Sequence, residues 1–210
     1  VLAEYKNNGY KPAIGGNKIE IQAEFPDMVS DSSVSATNDN TSAITTPVSS
    51  KSQLFNVIGE NSYSAVGQWA AYKFRVDDTG LYKLSMRFLQ SALQGMYICR
   101  GLKLSGGHYG DVPTAPFAEA YDTQFAYSKD WQSEFISAAD NVPFSFYFEE
   151  GVEYTLYVEC SLGELRTYVQ TIENSLNRLN DCYLRIIQRT GSTPDEKTLA
   201  AKSDIVAEAL

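Results

Sequence analysis

Alternate residues between Val66 and Phe88 differ sharply in polarity. Ala70, Tyr72, Phe74 and Val76, then Tyr82, Leu84, Met86 and Phe88, fall on one side, while Trp69, Lys73, Arg75, Lys83 and Arg87 fall on the other. A period of two is that of an extended strand with one face in a core and one in water. Asp77-Asp78-Thr79-Gly80 supplies the residues of a tight reversal, so the stretch reads as strand, turn and strand. The same pattern returns from Phe144 to Cys160. There Phe144, Phe146 and Phe148 precede Glu149-Glu150-Gly151, and Tyr154, Leu156, Val158 and Cys160 follow it. Further strands are predicted at Ile19 to Phe25, Leu54 to Ile58 and Met96 to Leu104. Half-buried antiparallel strands of this kind close into a mainly β fold, an antiparallel β-sandwich with two sheets packed around one core.

Past Cys160 the apolar period lengthens to that of a helix. Leu165, Tyr168, Val169, Ile172, Leu176, Leu179, Tyr183, Ile186 and Ile187 share one stripe, and Gly191 followed by Pro194 ends it. So long a stripe must cover a sheet face or dock on another domain. Pro194-Asp195-Glu196 then marks the start of a short second helix over Leu199 to Leu210. The expected organisation is a lead-in at 1–18 ending in Gly15-Gly16-Asn17, a β-sandwich at 19–160, and a helical extension at 161–210 leading toward a further domain. Ser30 to Ser52, rich in Ser, Thr and Asn, is predicted as a long surface connection with at most one weak strand. Residues 117–135 carry many aromatics with little periodicity, so they either plug the sandwich or shape a binding surface.

The 210 residues are 43% hydrophobic, enough to bury one good core. A formal net charge of −9 argues against a nucleic-acid partner, because phosphate binding rests on a surplus of Lys and Arg. Three cysteines, Cys99, Cys160 and Cys182, show no CxxC spacing and no neighbouring His. They read as buried free thiols, with a Cys160–Cys182 bridge as the alternative. No apolar run is long enough to span a bilayer as a helix.

Nothing in the chain resembles a catalytic motif. The lone His108 lies in a Gly-rich loop without a nucleophile elbow, phosphate loop or metal motif. Acidic pairs such as Asp130 with Glu134, or Glu149 with Glu150, read as surface and turn residues rather than as glycosidase carboxylates. Binding chemistry is better represented. Trp69 stands on the polar side of its strand, where it either packs beneath the long helix or stacks on a sugar ring. Tyr127, Asp130 and Trp131, in FAYSKDW, combine aromatic and polar groups on an irregular segment. Tyr97 and Arg100, beside Met96, form another mixed cluster, and Arg100 shares a face with Met96 and Ile98, so it is expected to be paired at the strand end.

Three stretches carry a family resemblance: Gln22-Ala23-Glu24, Val66-Gly67-Gln68-Trp69-Ala70-Ala71-Tyr72, and Thr79-Gly80-Leu81-Tyr82-Lys83-Leu84-Ser85-Met86-Arg87-Phe88. Over 19–160 the chain resembles the galactose-binding-like jelly rolls of carbohydrate-binding module families six and thirty-five. That resemblance implies a calcium-stabilised sandwich that binds glycans through loop aromatics. Gln22 stands where those modules carry an acid, leaving Glu24 as the one candidate Ca2+ ligand. The helix beginning near Gly163 replaces a closing strand that often supplies a ligand-binding Asn.

The segments PFAEAYDTQFAYSKDW, PFSFYFEEGVEYTLYVECSLGEL and RIIQRTGSTPD are similar to the amino-terminal module of certain large extracellular solute-binding proteins of bacterial sugar-uptake ABC transporters. The expectation is therefore a non-catalytic, cell-surface carbohydrate-binding-like module of a bacterial lipoprotein. Its partners would be a glycan or oligosaccharide and downstream solute-binding lobes of the same polypeptide. The rival expectation is a structural module that binds no glycan and packs on those lobes.

Overall fold

The computed structural model describes residues 7, 9–11, 18–48, 52–92, 94–106, 120–137 and 141–193. The chain divides into two units, Val1–Gly163 and Glu164–Leu210. Strands of the first unit are β1 Met28–Val29, β2 Ala36–Thr37, β3 Val57–Ile58, β4 Trp69–Phe74, β5 Gly80–Tyr82, β6 Ser85–Phe88, β7 Tyr97–Ser105, β8 Tyr121–Ala126, β9 Gln132–Phe135, β10 Phe146–Phe148 and β11 Tyr154–Ser161. Five of them form one sheet in the order β1-β4-β11-β7-β8, with every neighbour antiparallel. The shorter pairs β10-β5, β6-β9 and β2-β3 make up the rest of an antiparallel β-sandwich.

Neither reversal expected from the sequence is a hairpin. β4 pairs with β1 and β11, whereas β5 pairs with β10 in the register Phe146↔Tyr82, Tyr147↔Leu81 and Phe148↔Gly80. The chain leaves one sheet at Phe74 and enters another at Gly80, and it makes the reverse passage between Phe148 and Tyr154. Both connections are arches. They run side by side, with Val76 bridging Glu150, the Gly151 N–H donating to the Val76 carbonyl at 3.0 Å, and the Glu150 N–H donating to Thr79 Oγ1 at 2.9 Å. Alternation fixes which side of each strand is apolar, and an arch satisfies that constraint as well as a hairpin does. In an arch the two apolar faces meet across the core.

Phe148 occupies that meeting point. Its ring centroid lies 4.6 Å from Tyr154, 5.2 Å from Phe74, 5.7 Å from Tyr82 and 6.0 Å from Phe146, so it touches β11, β4, β5 and β10 at once. Tyr154, Phe146, Leu102 and Val76 are fully buried in the same core cluster. Each such aromatic pair adds about 0.5–1.5 kcal/mol beyond area burial.

Other sequence expectations fare differently. Ile19 to Phe25 forms no strand: the Phe25 N–H donates to the Gln22 carbonyl at 3.2 Å, turning the chain before Pro26, and pairing begins only at Met28. Residues 120–135, which lack a clear period, nonetheless supply β8 and β9. The long surface connection holds the weak strand β2. The cysteines form no disulfide with one another, Cys99 and Cys160 being buried and Cys182 half-buried. Two glycines are required where they stand. A Cβ on Gly106 (φ +99°) would lie 2.4 Å from the Glu153 carbonyl oxygen, and one on Gly163 (φ +54°) 2.6 Å from Cys99 Sγ.

The second unit contains helix α1, Leu165–Thr190, which ends as expected at Gly191, whose N–H donates to the Ile187 carbonyl at 2.8 Å. Leu165, Tyr168, Ile172, Leu176, Leu179 and Tyr183 on its apolar stripe are all exposed. His108, Gly15-Gly16-Asn17 and the expected second helix at Leu199 to Leu210 lie outside the described residues. Among the described residues no helix is long and apolar enough to cross a membrane.

If Phe148 is the joint between the sheets, Phe148→Ala lowers unfolding free energy by about 3–5 kcal/mol. Urea denaturation followed by near-UV circular dichroism reads this directly, and a loss below about 1 kcal/mol would remove Phe148 from that role.

Candidate functional site

Trp131 precedes β9 and lies against two neighbours that the sequence does not announce. Its indole N–H donates to Asp39 Oδ2 at 2.6 Å, and the Arg87 guanidinium lies over its ring at 5.2 Å from the centroid. Asp39 also accepts from the Thr41 N–H and hydroxyl at 2.8 and 2.9 Å, while the backbone of Asp39 is clasped by the Asn56 side chain in both directions. Burial pushes the Asp39 carboxyl upward, but the Thr41 and Trp131 hydrogen bonds and the Arg87 charge outweigh it and hold the pKa below the usual carboxylate range. Arg87 donates in turn to the Ile44 carbonyl at 2.8 Å. Trp131 thus anchors the long connection to the β6-β9 pair, and one of its faces is already covered.

Tyr97, Tyr127 and Asp130 belong to the same end of the fold. Tyr97 opens β7 opposite Ala126, the last residue of β8, so Tyr127 follows immediately beyond the pair. The Ser128 N–H donates to the Gln90 carbonyl at 2.9 Å and Gln90 Nε2 donates to the Met96 carbonyl at 3.2 Å, tying 127–131 to the loop before β7. Tyr97, at 37% exposure, and Asp130 face solvent, and Tyr127 is half-buried. Trp69 is not with them. It pairs with Glu159 of β11, two strands from β8, and packs edge-on against Tyr157 at 5.5 Å. Arg100 lies on the opposite side of β7 from Tyr97 by alternation. It is paired, as its position implied, through donation to the Cys99 and Tyr63 carbonyls at 3.1 and 3.3 Å and a cation–π contact with Tyr63 at 5.1 Å.

Glu24 sits in the turn before β1, only 5% exposed, and its Oε1 has no hydrogen-bond partner. Burial raises its pKa above the ordinary value, and its charge in turn helps raise that of the buried Tyr72. Among the described residues no cluster of three or more His, Cys, Asp or Glu gathers around it or elsewhere.

A surface absent from the sequence reading lies on β6 and β9. Their register places Ser85 opposite Phe135 and Arg87 opposite Ser133. Lys83 Nζ lies 5.8 Å from the Phe135 ring centroid, and that ring remains 54% exposed. The alternations Lys83-Ser85-Arg87 and Trp131-Ser133-Phe135 are both visible in the chain, but nothing in the sequence says that they are neighbours.

Two outcomes follow for stability. Trp131→Phe keeps a ring under Arg87 but deletes the donor to Asp39, and is expected to cost about 1–3 kcal/mol, read by urea unfolding. For Glu24 the folded pKa lies above the unfolded one, so the folded state binds more protons and stability falls as pH rises from near 4.5 through the raised value. Glu24→Gln removes that slope, which a urea midpoint series from pH 4 to pH 7 measures.

No family model matches the chain, and no curated protein does. Among solved structures it is similar to a Paenibacillus sp. cycloisomaltooligosaccharide glucanotransferase complexed with cycloisomaltoheptaose, at 13% sequence identity and a TM-score of 0.44. The similarity covers 73% of this chain but only 17% of that one.

Proposed function

We propose that this chain is a non-catalytic, extracellular carbohydrate-binding-like module of a bacterial sugar-uptake solute-binding lipoprotein. The observation that carries the binding reading is the assembly of Tyr97, Tyr127 and Asp130 at one end of the sandwich, beside Trp131. Aromatic faces next to hydroxyl and carboxylate groups match a sugar ring, which offers C–H faces for stacking and hydroxyls for hydrogen bonding. The ABC-transporter setting rests on the sequence resemblance alone, and in it the module is joined to solute-binding lobes of the same polypeptide.

A calcium ion fits one feature of the chain. The unpartnered, buried Oε1 of Glu24 is an acceptor that a hard cation would satisfy. When bound, Ca2+ would neutralise the Glu24 carboxylate and stiffen the turn before β1. Addition of 1 mM Ca2+ should then raise the melting temperature of the native chain but not of Glu24→Gln. Equal response of the two would exclude Glu24 as a ligand.

The exposed stripe of α1 favours a second reading, an interaction module whose helix is covered by the downstream lobes. Leu176→Gln separates the two readings. Under the second it leaves the sandwich's melting transition unchanged and weakens binding of separately produced lobes, and under the first it leaves glycan retention unchanged. For the glycan reading itself, affinity electrophoresis across a panel of polysaccharides should show retention that Tyr127→Ala weakens at least fivefold. Retention on none would refute it.

A further inference from the structure

We infer that the outward face of the β6-β9 pair is a platform for an anionic polysaccharide, a proposal that rests on the glycan-binding reading and names its ligand class. The face alternates in a regular way. β6 presents Ser85 and Arg87, with Lys83 two residues before the strand, and β9 presents Phe135 and Ser133, with Trp131 just before it; Ser85 stands opposite Phe135 and Arg87 opposite Ser133. Each cation lies over an aromatic ring, Lys83 at 5.8 Å from Phe135 and Arg87 at 5.2 Å from Trp131. The central positions are hydroxyls, and Ser85, Arg87, Ser133 and Phe135 are all exposed.

Phe135 keeps 54% of its surface in water on a strand that pairs only with β6 among the described residues, and an uncovered aromatic on an edge strand is unfavourable. A sugar ring stacked on Phe135 would cover it. Among the described residues no carboxylate forms an ion pair with Lys83, whereas Lys73 and Arg75 share Glu153. Arg87 feels the charges of Asp39 and Glu20 and is held by the Ile44 carbonyl, so it positions the Trp131 ring as much as it offers charge. Lys83 is the charge available to a ligand acid group. From Trp131 to Phe135 the strand spans roughly 14 Å, which suits several sugar units of a polymer rather than a single ring. A chain of net charge −9 repels polyanions as a whole, so retention on one requires a local site.

The experiment is affinity electrophoresis of the native chain in gels carrying pectate, dextran sulfate or neutral dextran and xylan, with Lys83→Gln, Phe135→Ala and, as control, Lys103→Gln on the outer side of β7. All three positions are exposed, and circular dichroism verifies folding. The expected result is retention on pectate, dextran sulfate or both, reduced at least fivefold by Lys83→Gln and by Phe135→Ala and unchanged by Lys103→Gln. Pectate alone would identify a carboxylate ligand and dextran sulfate alone a sulfate ligand. Retention only on neutral glycans overturns this proposal while leaving the glycan-binding reading standing, and retention on no polymer overturns both. Retention on a polyanion that neither platform variant weakens, or that Lys103→Gln weakens equally, also overturns it.

Discussion

One aromatic ring joins the layers of this molecule. Phe148 lies within 6.0 Å, centroid to centroid, of Tyr154, Phe74, Tyr82 and Phe146, which come from four different strands. It can do so because the chain passes between sheets twice in the same place, once from β4 to β5 and once from β10 to β11. The two passages hold each other through Val76, Thr79, Glu150 and Gly151. Packing interdigitated side chains between sheets is what fixes their separation and orientation. The position of every strand that continues from the arches is set by this joint.

The candidate surfaces inherit that placement. β6 follows β5 within the same run of chain, so the arch that delivers Tyr82 to the core also turns Lys83, Ser85 and Arg87 outward. β9 then pairs with β6 and brings Phe135 and Trp131 beside those cations. The long connection between β2 and β3 is fastened to this edge by Asp39, which joins Trp131, Thr41 and Asn56 in one hydrogen-bonded cluster. Trp131 therefore combines two roles, holding a loop and presenting a ring, and its removal affects both.

Much of this was legible in the chain. The alternation in 66–88 and 144–160 correctly assigns the core side of β4, β5, β6, β10 and β11, since burial obeys the period of two whichever way the strands pair. It could not distinguish hairpin from arch, because both expose and bury the same side chains. Ile19 to Phe25 carries a strand-like composition, but the local Gln22–Phe25 turn and Pro26 prevent pairing there. The long helix was readable because nine apolar residues share one stripe and glycine stops it. Of the candidate residues, Tyr127, Asp130 and Trp131 stand together in one mixed aromatic and polar segment, while Tyr97 comes from a separate cluster that the β7-β8 register brings beside it. Asp39, Lys83 and Phe135 were not legible, since their significance comes from partners 92, 52 and 52 residues distant, about which a lone sequence is silent.

Cross-strand nuclear Overhauser effects test the arched connection most directly. Backbone contacts of Leu81 with Tyr147 and of Tyr82 with Phe146, with none between β4 and β5, are the predicted result. Contacts running from Phe74 to Gly80 and on along a paired β4-β5 ribbon would contradict it, and the shared joint at Phe148 would fall with it.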